Sequence, residues 1–253
     1  MSSNGFHISR SFHSMLVLVF ITCCSFSFTA FDSPAKYGKL TLHFVNIANG
    51  KPIVLHDSLY TTTLGEPYNI TKLRYYISNI QLAGNKIMDD EQNYHLIDEA
   101  RETKFTIDVK EGKYGEVRFL LGIDSLRNFS GAQTGALDPM NDMFWTWNSG
   151  YVMFKLEGYS DSSSAVNNKV EHHVGGYRFG NQVATAITLS FDEIKIKDDQ
   201  PVDIYIYMNL DVYWSGAEQI SMTKDPVCTL PGGLAKKIAA NFNRLFSVKE
   251  IRQ

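Results

Sequence analysis

Cysteine is scarce in this chain, and its distribution excludes a disulfide framework. Only three cysteines occur among 253 residues. Cys23 and Cys24 lie in an apolar N-terminal segment, so the rest of the chain retains Cys228 alone. A single cysteine cannot form an internal disulfide bond, and its ordinary interpretation is a small, half-buried hydrophobic residue. The hydrophobic core must therefore stabilise the fold.

An excess of basic residues and a long apolar run within the body of the chain are also missing. Lysine and arginine together number 24 against 27 aspartates and glutamates, which gives a formal net charge of −3 at pH 7. This overall balance does not point to nucleic acid or anionic lipid as a partner. No segment beyond the N-terminus is apolar for the ~20 residues that a membrane-spanning helix requires. We expect no nucleic-acid partner and no transmembrane segment.

Sequence motifs of catalysis are absent as well. The chain has no Gly-x-Ser-x-Gly elbow, no glycine-rich phosphate loop and no His-Glu-x-x-His pair. These motifs place nucleophiles, phosphates or catalytic zinc in defined local geometries. The sequence therefore gives no support to an enzyme, and we expect a protein without catalytic activity.

The N-terminus has the pattern of a secretory signal. Arg10 precedes an apolar run from Met15 to Cys24, and small and aromatic residues follow up to Ala30. Such an order of basic, apolar and small residues is typical of a signal peptide. We expect residues 1–30 to be removed and residues 31–253 to form one domain, exported to the periplasm or the cell surface.

Cys23 raises the alternative that the exported protein carries a lipid anchor. A lipid-anchored protein retains a cysteine directly after its apolar segment. The preceding residues, Phe20-Ile21-Thr22, differ from the small, aliphatic residues that such a signal prefers. A lipid anchor at Cys23 is therefore the less favoured alternative.

Alternation of apolar and polar residues predicts mostly β structure. Leu40, Leu42 and Phe44 alternate with polar residues, and the run from Val202 to Val212 has the most regular alternation. A period of two is typical of strands with one buried face. About ten such segments separated by turns predict an all-β fold, a single antiparallel β-sandwich. Helical spacing from Gly233 to Phe246 predicts a short C-terminal helix.

Histidines are the best candidate metal ligands. His172 and His173 are adjacent on a predicted strand, so their side chains point to opposite faces. His172 shares a face with Val170 and Val174, where a hydrogen-bonded core histidine is the more ordinary interpretation. His173 lies on the polar face and is the first candidate ligand. His43, which points away from the apolar face of the first strand, is the second.

Copper is the metal that these donors favour. Imidazole nitrogen together with thioether sulfur suits copper better than magnesium or calcium. Calcium is the alternative, because the loop containing Asp138, Asn141 and Asp142 is rich in oxygen donors. That loop lacks EF-hand spacing, and turn formation explains its Asp and Asn residues equally well. Calcium is therefore less favoured than copper.

The segment from Leu137 to Tyr159 is unusually rich in aromatic residues. It contains Trp145 and Trp147 together with three methionines, which are Met140, Met143 and Met153. Large aromatic residues most often anchor a core. These tryptophans are alternatively sites of oxidation or of stacking against a ligand.

A second class of function follows from the same aromatic residues. Exposed aromatic rings on a sandwich stack on sugar rings or contact a protein partner. Trp145 and Trp147, with Tyr205, Tyr207 and Tyr213 on one predicted strand face, supply such rings. The alternative to a copper protein is therefore a cell-surface module that binds a carbohydrate or a protein without a metal.

Seven segments of this chain together resemble one family, the MbnP-like copper-binding proteins. They are LRYYISNIQL (73–82), YHLID (94–98), GEVRFLLGID (115–124), NFSG (128–131), MFWTWNSGYVMFKLEG (143–158), HVGG (173–176) and IAANFNRLF (238–246). The tryptophan-rich segment followed by HVGG is the specific part. The resemblance implies an MbnP-like β-sandwich over residues 31–253.

Membership would imply a role in copper handling outside the cytoplasm. In family members, the copper ligands resemble two histidines and a tryptophan that is oxidised to kynurenine. The oxidised tryptophan stands two residues before a histidine, and a dihaem peroxidase-like partner performs the oxidation. This chain has no Trp-x-His, and its first strand contains Leu42-His43-Phe44 instead. We therefore expect His43 and His173 to bind copper, with oxidation of Trp145 or Trp147 as an open alternative. A member that has lost the metal and keeps a scaffold role is the third interpretation.

Overall fold

The structure, a computed structural model, describes residues 35–82, 85–86, 93–146 and 148–253. The predicted signal peptide, with Cys23, and Trp147 lie outside these residues. The strands are β1 (Tyr37–Ala48), β2 (Lys51–Pro52), β3 (Tyr60–Thr61), β4 (Pro67–Leu82), β5 (Asn85–Lys86), β6 (Tyr94–Asp98), β7 (Lys104–Lys110), β8 (Gly112–Leu121), β9 (Phe144–Thr146), β10 (Gly150–Tyr159), β11 (Lys169–Gly175), β12 (Thr185–Ile196), β13 (Val202–Asn209), β14 (Val227–Cys228) and β15 (Phe246–Arg252). The helices are α1 (Ser125–Phe129), α2 (Leu210–Trp214) and α3 (Gly233–Ala239).

The smaller sheet is built around β1. Its strands lie in the order β15-β13-β1-β2, and β7 also pairs with β1. Leu40, Leu42 and Phe44 point into the core, whereas Thr41 and His43 are half-buried on the outer face. The strand therefore follows the period of two that the sequence predicts.

The larger sheet is built around β4, which is 16 residues long. Tyr75 of β4 pairs with residues of both β6 and β10, and Ile77 pairs with residues of both β6 and β8. A strand residue has one neighbour on each side, so β8 and β10 share the side of β4 opposite β6. They run in the same direction, one beyond the other.

Two connecting segments, which we call the excursions, leave the larger sheet at neighbouring strand ends. The first, residues 122–149, separates β8 from β10, and the second, residues 176–184, separates β11 from β12. Gly175 at the end of β11 pairs with Val152, and Thr185 at the start of β12 pairs with Leu121. The two excursions therefore begin and end beside each other.

The main core lies between the two sheets, and a second, smaller core lies outside the larger one. Phe44 of the smaller sheet packs edge-on against Tyr75 and Phe119 of the larger sheet, with ring centroids 6.1 and 6.0 Å apart. The first excursion covers the outer face of the larger sheet. The buried residues of that second core are Tyr76, Ile123, Leu137, Met143, Tyr151 and Val152. This cover explains why β4 is apolar on both faces.

The all-β prediction is confirmed, and residues Ala35–Gln253 form one compact unit. Most strand pairs are antiparallel, as predicted, but β1 with β13 and β11 with β14 are parallel. Alternation within a strand does not reveal the direction of its neighbour, so these parallel pairs are not predictable from the pattern.

The C-terminal helix is present but shorter than its apolar pattern. α3 ends at Ala239, a 3-10 turn covers Phe242–Arg244, and β15 begins at Phe246. The predicted helix from Gly233 to Phe246 is thus too long, because Phe246 pairs with Met208 of β13. None of the helices in the described part of the chain is long and apolar enough to cross a membrane.

The predicted strand from Val202 to Val212 is also interrupted. β13 ends at Asn209, whose side chain accepts a hydrogen bond from the Asp211 amide at 2.9 Å and caps α2. An Asn at this position favours helix initiation over continued strand. Trp214, at the end of α2, is buried.

Candidate metal centre

A cluster of charged side chains occupies the outer face of β10 and β11. In the register of this pair, Lys155 lies opposite His173 and Glu157 lies opposite Glu171. Residues two apart on a strand share a face, and opposite residues on neighbouring strands are in contact. The four side chains therefore stand together on the side of the sheet away from the main core.

Three of these side chains form a group of potential metal ligands. His173 Nε2 lies 2.8 Å from Glu157 Oε1 and 3.7 Å from Glu171 Oε1. One ligand atom from each residue lies within 4.8 Å of the others, and all three residues are half-buried. Side chains held this close by two adjacent strands need little rearrangement to contact one ion.

Two lysines balance the carboxylates of this cluster. Lys72 Nζ lies 3.3 Å from Glu157 Oε2 and 3.0 Å from Asp142 Oδ2. The buried Lys155 contacts the same Asp142 carboxylate at 3.0 Å and lies 3.9 Å from Glu157 Oε1. The hydrogen bond from His173, with the Lys72 charge, lowers the pKa of the Glu157 carboxyl to about 2. Glu157 is therefore ionised at neutral pH and offers its oxygens as acceptors.

Trp145 lies beside the cluster. Its ring rests on Gly175, where a Cβ atom would come within 2.7 Å of the ring carbon Cζ3. Gly175 is two residues from His173 on the same strand, so both face outward and their Cα atoms are about 7 Å apart. The first glycine of the HVGG motif thus makes room for a tryptophan next to the histidine.

The donor chemistry of the cluster fits a borderline divalent cation. One imidazole nitrogen and two carboxylate oxygens suit Cu²⁺ or Zn²⁺. Sulfur donors, which Cu⁺ prefers, are not in the cluster. A cation that bound here would compete with Lys72 and Lys155 for Glu157, because both ammonium groups already lie near its oxygens.

His172 lies in the main core, between the sheets. Its Nδ1 is 2.7 Å from the Tyr213 hydroxyl and its Nε2 is 2.6 Å from the Asp225 carbonyl oxygen. Burial lowers the pKa of His172 to about 4. Both ring nitrogens are engaged, so the geometry corresponds to the hydrogen-bonded core histidine and not to a ligand.

His43 belongs to the other sheet. Its Nε2 lies 2.6 Å from Asp203 Oδ1, and its ring stacks on Tyr205 with centroids 4.4 Å apart. His43 and His173 project from the outer faces of opposite sheets, which pack about 10 Å apart in a sandwich. One ion cannot contact both histidines, so a copper site shared by them is wrong. That either histidine binds metal stays a prediction.

The predicted sulfur donors lie elsewhere. Met143 and Met153 are buried in the two cores, and Met140 is 90% exposed in the first excursion. Cys228 is buried, and this burial raises the pKa of its thiol to about 11. A thiol that stays protonated is a poor metal ligand.

The oxygen atoms of the calcium candidate are used by the loop itself. Asp138 Oδ1 accepts a hydrogen bond from the Met140 amide at 2.8 Å, and the Asn141 side chain donates to Gly135 and Ala136 carbonyls. The Asp142 carboxylate is paired with lysines, as described above. Turn formation and ion pairing account for this loop, and the structure does not favour calcium there.

Two tyrosines of the predicted aromatic platform are already engaged in other contacts, and Trp147 lies outside the described residues. Tyr213 is fully buried in the main core. Tyr205 is half-buried, with His43 stacked on its ring and the Arg252 guanidinium 4.5 Å from its centroid. His43 and Arg252 come from β1 and β15, the two neighbours of β13, so the Tyr205 ring is already in contact with side chains from both neighbouring strands.

Sequence reasoning missed Glu157, Glu171 and Lys155 as members of the cluster. Their positions on the polar faces of two strands were visible, since each lies two residues from another polar residue of its strand. What the sequence did not show was the register that places Glu157 opposite Glu171. Register depends on partner strands and not on the strand alone.

Fold and cluster define an all-β sandwich with a histidine and carboxylate centre on an outer sheet face. The family model of MbnP matches residues 37–230. The chain therefore belongs to the MbnP family, as its motifs predict. Among solved structures, MbnP from Methylosinus trichosporium matches with a TM-score of 0.49 and 14% identity, covering 74% of this chain and 80% of that chain. A search of curated proteins found no match.

Proposed function

We propose that this chain is an exported, non-enzymatic copper-handling protein that binds Cu²⁺ through His173, Glu157 and Glu171. The observation that carries the proposal is the grouping of these three ligand atoms within 4.8 Å. The copper role that MbnP-like proteins imply supports the choice of metal. The signal-like N-terminus supports export.

The oxidation state follows from the donor set. Carboxylate oxygen and imidazole nitrogen bind Cu²⁺ well, whereas Cu⁺ prefers sulfur. Zn²⁺ suits the same donors but binds more weakly than Cu²⁺ at a given nitrogen and oxygen site. We therefore expect copper to displace zinc at equal concentrations.

Trp145 is the tryptophan that we expect to be oxidised, if oxidation accompanies copper binding here. The support is its place on Gly175, two residues from His173. By analogy with other members of the family, a dihaem peroxidase-like protein would be the oxidising partner. Intact mass and peptide mapping of protein purified from its native host would show oxidation at Trp145, at Trp147 or at neither.

A Cu²⁺ titration of the purified chain tests the proposal. Bound copper per chain and the electron paramagnetic resonance spectrum are recorded for wild type, His173→Ala and Glu157→Gln. His43→Ala is the matched control, because it removes a half-buried histidine with a carboxylate partner from the other sheet.

We expect one copper per wild-type and His43→Ala chain, with a nitrogen and oxygen spectrum, and at least about a tenfold loss of affinity in each cluster variant. Copper that is lost with His43→Ala and kept with His173→Ala would place the site on the other sheet. No copper binding by folded wild type would contradict the proposal and favour a scaffold role.

A further inference from the structure

The two excursions of the larger sheet are hydrogen-bonded to each other and form one surface. Ser125 Oγ in α1 donates to the Tyr177 carbonyl oxygen at 3.1 Å, and Arg178 Nη2 donates to Asn148 Oδ1 at 2.5 Å. The segment before α3 adjoins them, because Lys236 Nζ donates to the Gly180 carbonyl oxygen at 2.9 Å. Three separate parts of the chain thus hold each other in place.

Large apolar side chains project from each of these parts. We call them the loop-tip surface. Their exposed fractions are Leu126 79%, Phe129 77%, Phe179 98% and Leu230 71%. Single exposed apolar residues are ordinary, but several on adjoining loops mark an interaction site. Phe179 at its nearly full exposure makes no contribution to the core, so its apolar ring has no evident structural purpose.

The charge around the loop-tip surface differs in sign from that of the whole chain. The segments 122–131, 176–184 and 229–237, which carry these side chains, contain four basic residues, Arg127, Arg178, Lys236 and Lys237, and one acidic residue, Asp124, and the remainder of the first excursion adds Asp138 and Asp142. The whole chain has a net charge of −3. Lys237 is paired with Asp225 at 2.7 Å, and Asp142 is paired with Lys72 and Lys155 of the metal cluster, so three basic residues remain against Asp124 and Asp138 and the surface has a small positive excess. This local excess is complementary to an anionic partner.

We propose that the loop-tip surface docks on an anionic phospholipid bilayer. Apolar side chains that project from separate loops can enter the headgroup region one by one, while the exposed Arg178 and Lys236 contact lipid phosphates. A protein partner would instead call for a flat or concave apolar patch with shape complementarity. This proposal does not depend on copper binding, since none of its residues belongs to the metal cluster.

Cosedimentation with vesicles tests the proposal. The purified chain is mixed, without metal, with vesicles of phosphatidylglycerol and phosphatidylcholine or of phosphatidylcholine alone, at low and high salt. The variants are Phe179→Ser and Leu126→Ser. Val166→Ser is the matched control, since Val166 is 82% exposed in the turn between β10 and β11, away from the two excursions. Circular dichroism checks the fold of each variant.

We expect binding to the anionic vesicles that weakens at high salt. Phe179→Ser should weaken it about tenfold, as loss of one inserted aromatic side chain would, and Val166→Ser by less than about twofold. Failure of wild type to bind anionic vesicles, or equal binding by Phe179→Ser and Val166→Ser, would overturn the proposal. Self-association that Phe179→Ser abolishes, without vesicle binding, would overturn it in favour of a second copy of this chain.

Discussion

The ring of Trp145 and the backbone of Gly175 are in direct contact, and no larger residue fits between them. A Cβ atom at position 175 would lie 2.7 Å from Trp145 Cζ3 and 2.5 Å from the Tyr151 carbonyl oxygen. Position 175 therefore has no room for a side chain, which explains its glycine. The contact fastens the first excursion to the strand that carries His173.

Gly175→Ala should therefore displace Trp145. The added methyl group has no room, and such overpacking costs about 1–3 kcal/mol. We expect a lower free energy of unfolding and a red shift of tryptophan fluorescence as the ring becomes more exposed. Gly233→Ala is the control, because a Cβ there would have nothing within 4 Å. Equal stability of the two variants would show that Trp145 moves aside at no cost.

The sequence predicts the faces of the strands well. Val170 and Val174 correctly indicated that His172 points inward and His173 outward, and His43 also has the predicted outward orientation. Such alternation follows from local geometry alone. For this reason the sequence alone distinguishes the outward-facing His173 from its buried neighbour His172.

The alternation of apolar and polar residues does not predict how the strands are arranged in the sheets. His43 and His173 both point outward, but only the sheet order shows that they lie on opposite sides of the molecule. Likewise, β8 and β10 read as separate strands, while in the fold they extend one another along β4. Long-range pairing of this kind depends on contacts between distant segments, which a local period does not encode.

Lys155→Met should strengthen Cu²⁺ binding if the cluster is the metal site. The ammonium group lies 3.9 Å from Glu157 Oε1 and opposes an incoming cation. Removing this charge while keeping an apolar side chain of similar length should raise the affinity by about tenfold, or ~1.4 kcal/mol. Isothermal titration with Cu²⁺ measures the change.

Lys195→Met is the control for this measurement, because Lys195 is an exposed cation on β12. It should leave the affinity within about twofold of wild type. A weaker affinity in Lys155→Met would mean that Lys155 chiefly positions the cluster through Asp142, with which it forms an ion pair at 3.0 Å.

His172 should make the fold sensitive to acid. Burial lowers its pKa from 6.5 to about 4, so between these values the unfolded chain binds a proton that the folded chain does not. Stability contributed by neutral His172 is therefore present above pH 6.5 and falls as the pH decreases toward 4. From pH 7 to pH 5 the loss should be about 2 kcal/mol.

Urea denaturation of wild type and His172→Phe at both pH values isolates this effect. His95 has a pKa that burial also lowers to about 4, but it is present in both proteins and cancels in the difference. Wild type should be more stable at pH 7, because the variant leaves the Tyr213 hydroxyl without its partner. The gap should narrow by about 2 kcal/mol at pH 5. A gap that does not change with pH would contradict the assignment.

Neutralising the buried Glu66 carboxylate should markedly lower the free energy of unfolding. Although it is buried, its oxygens accept hydrogen bonds from Ser221 Oγ at 2.8 Å, the Met222 amide at 3.1 Å and the Thr223 amide at 3.2 Å. Burial raises the pKa of Glu66, but these hydrogen bonds outweigh it and bring the pKa below its ordinary value. The carboxylate thereby fastens the segment before β14 to the start of β4.

In Glu66→Gln, an NH2 group replaces one of the two carboxylate oxygens. This group cannot accept a hydrogen bond, so at least one of the N–H or O–H donors around Glu66 loses its acceptor. We expect a loss of about 3 kcal/mol in the free energy of unfolding at pH 7. Glu193→Gln, which removes an exposed ion pair with Lys113, should leave the free energy of unfolding nearly unchanged, because water screens such a pair. Because the pKa of Glu66 is lower in the folded protein, its contribution to stability is present above pH 4.5 and is lost as the pH falls below that value. Denaturation curves at pH 7 and pH 4 should show the difference between wild type and Glu66→Gln shrinking in acid, and a difference that grows there would mean that Glu66 is protonated in the folded protein.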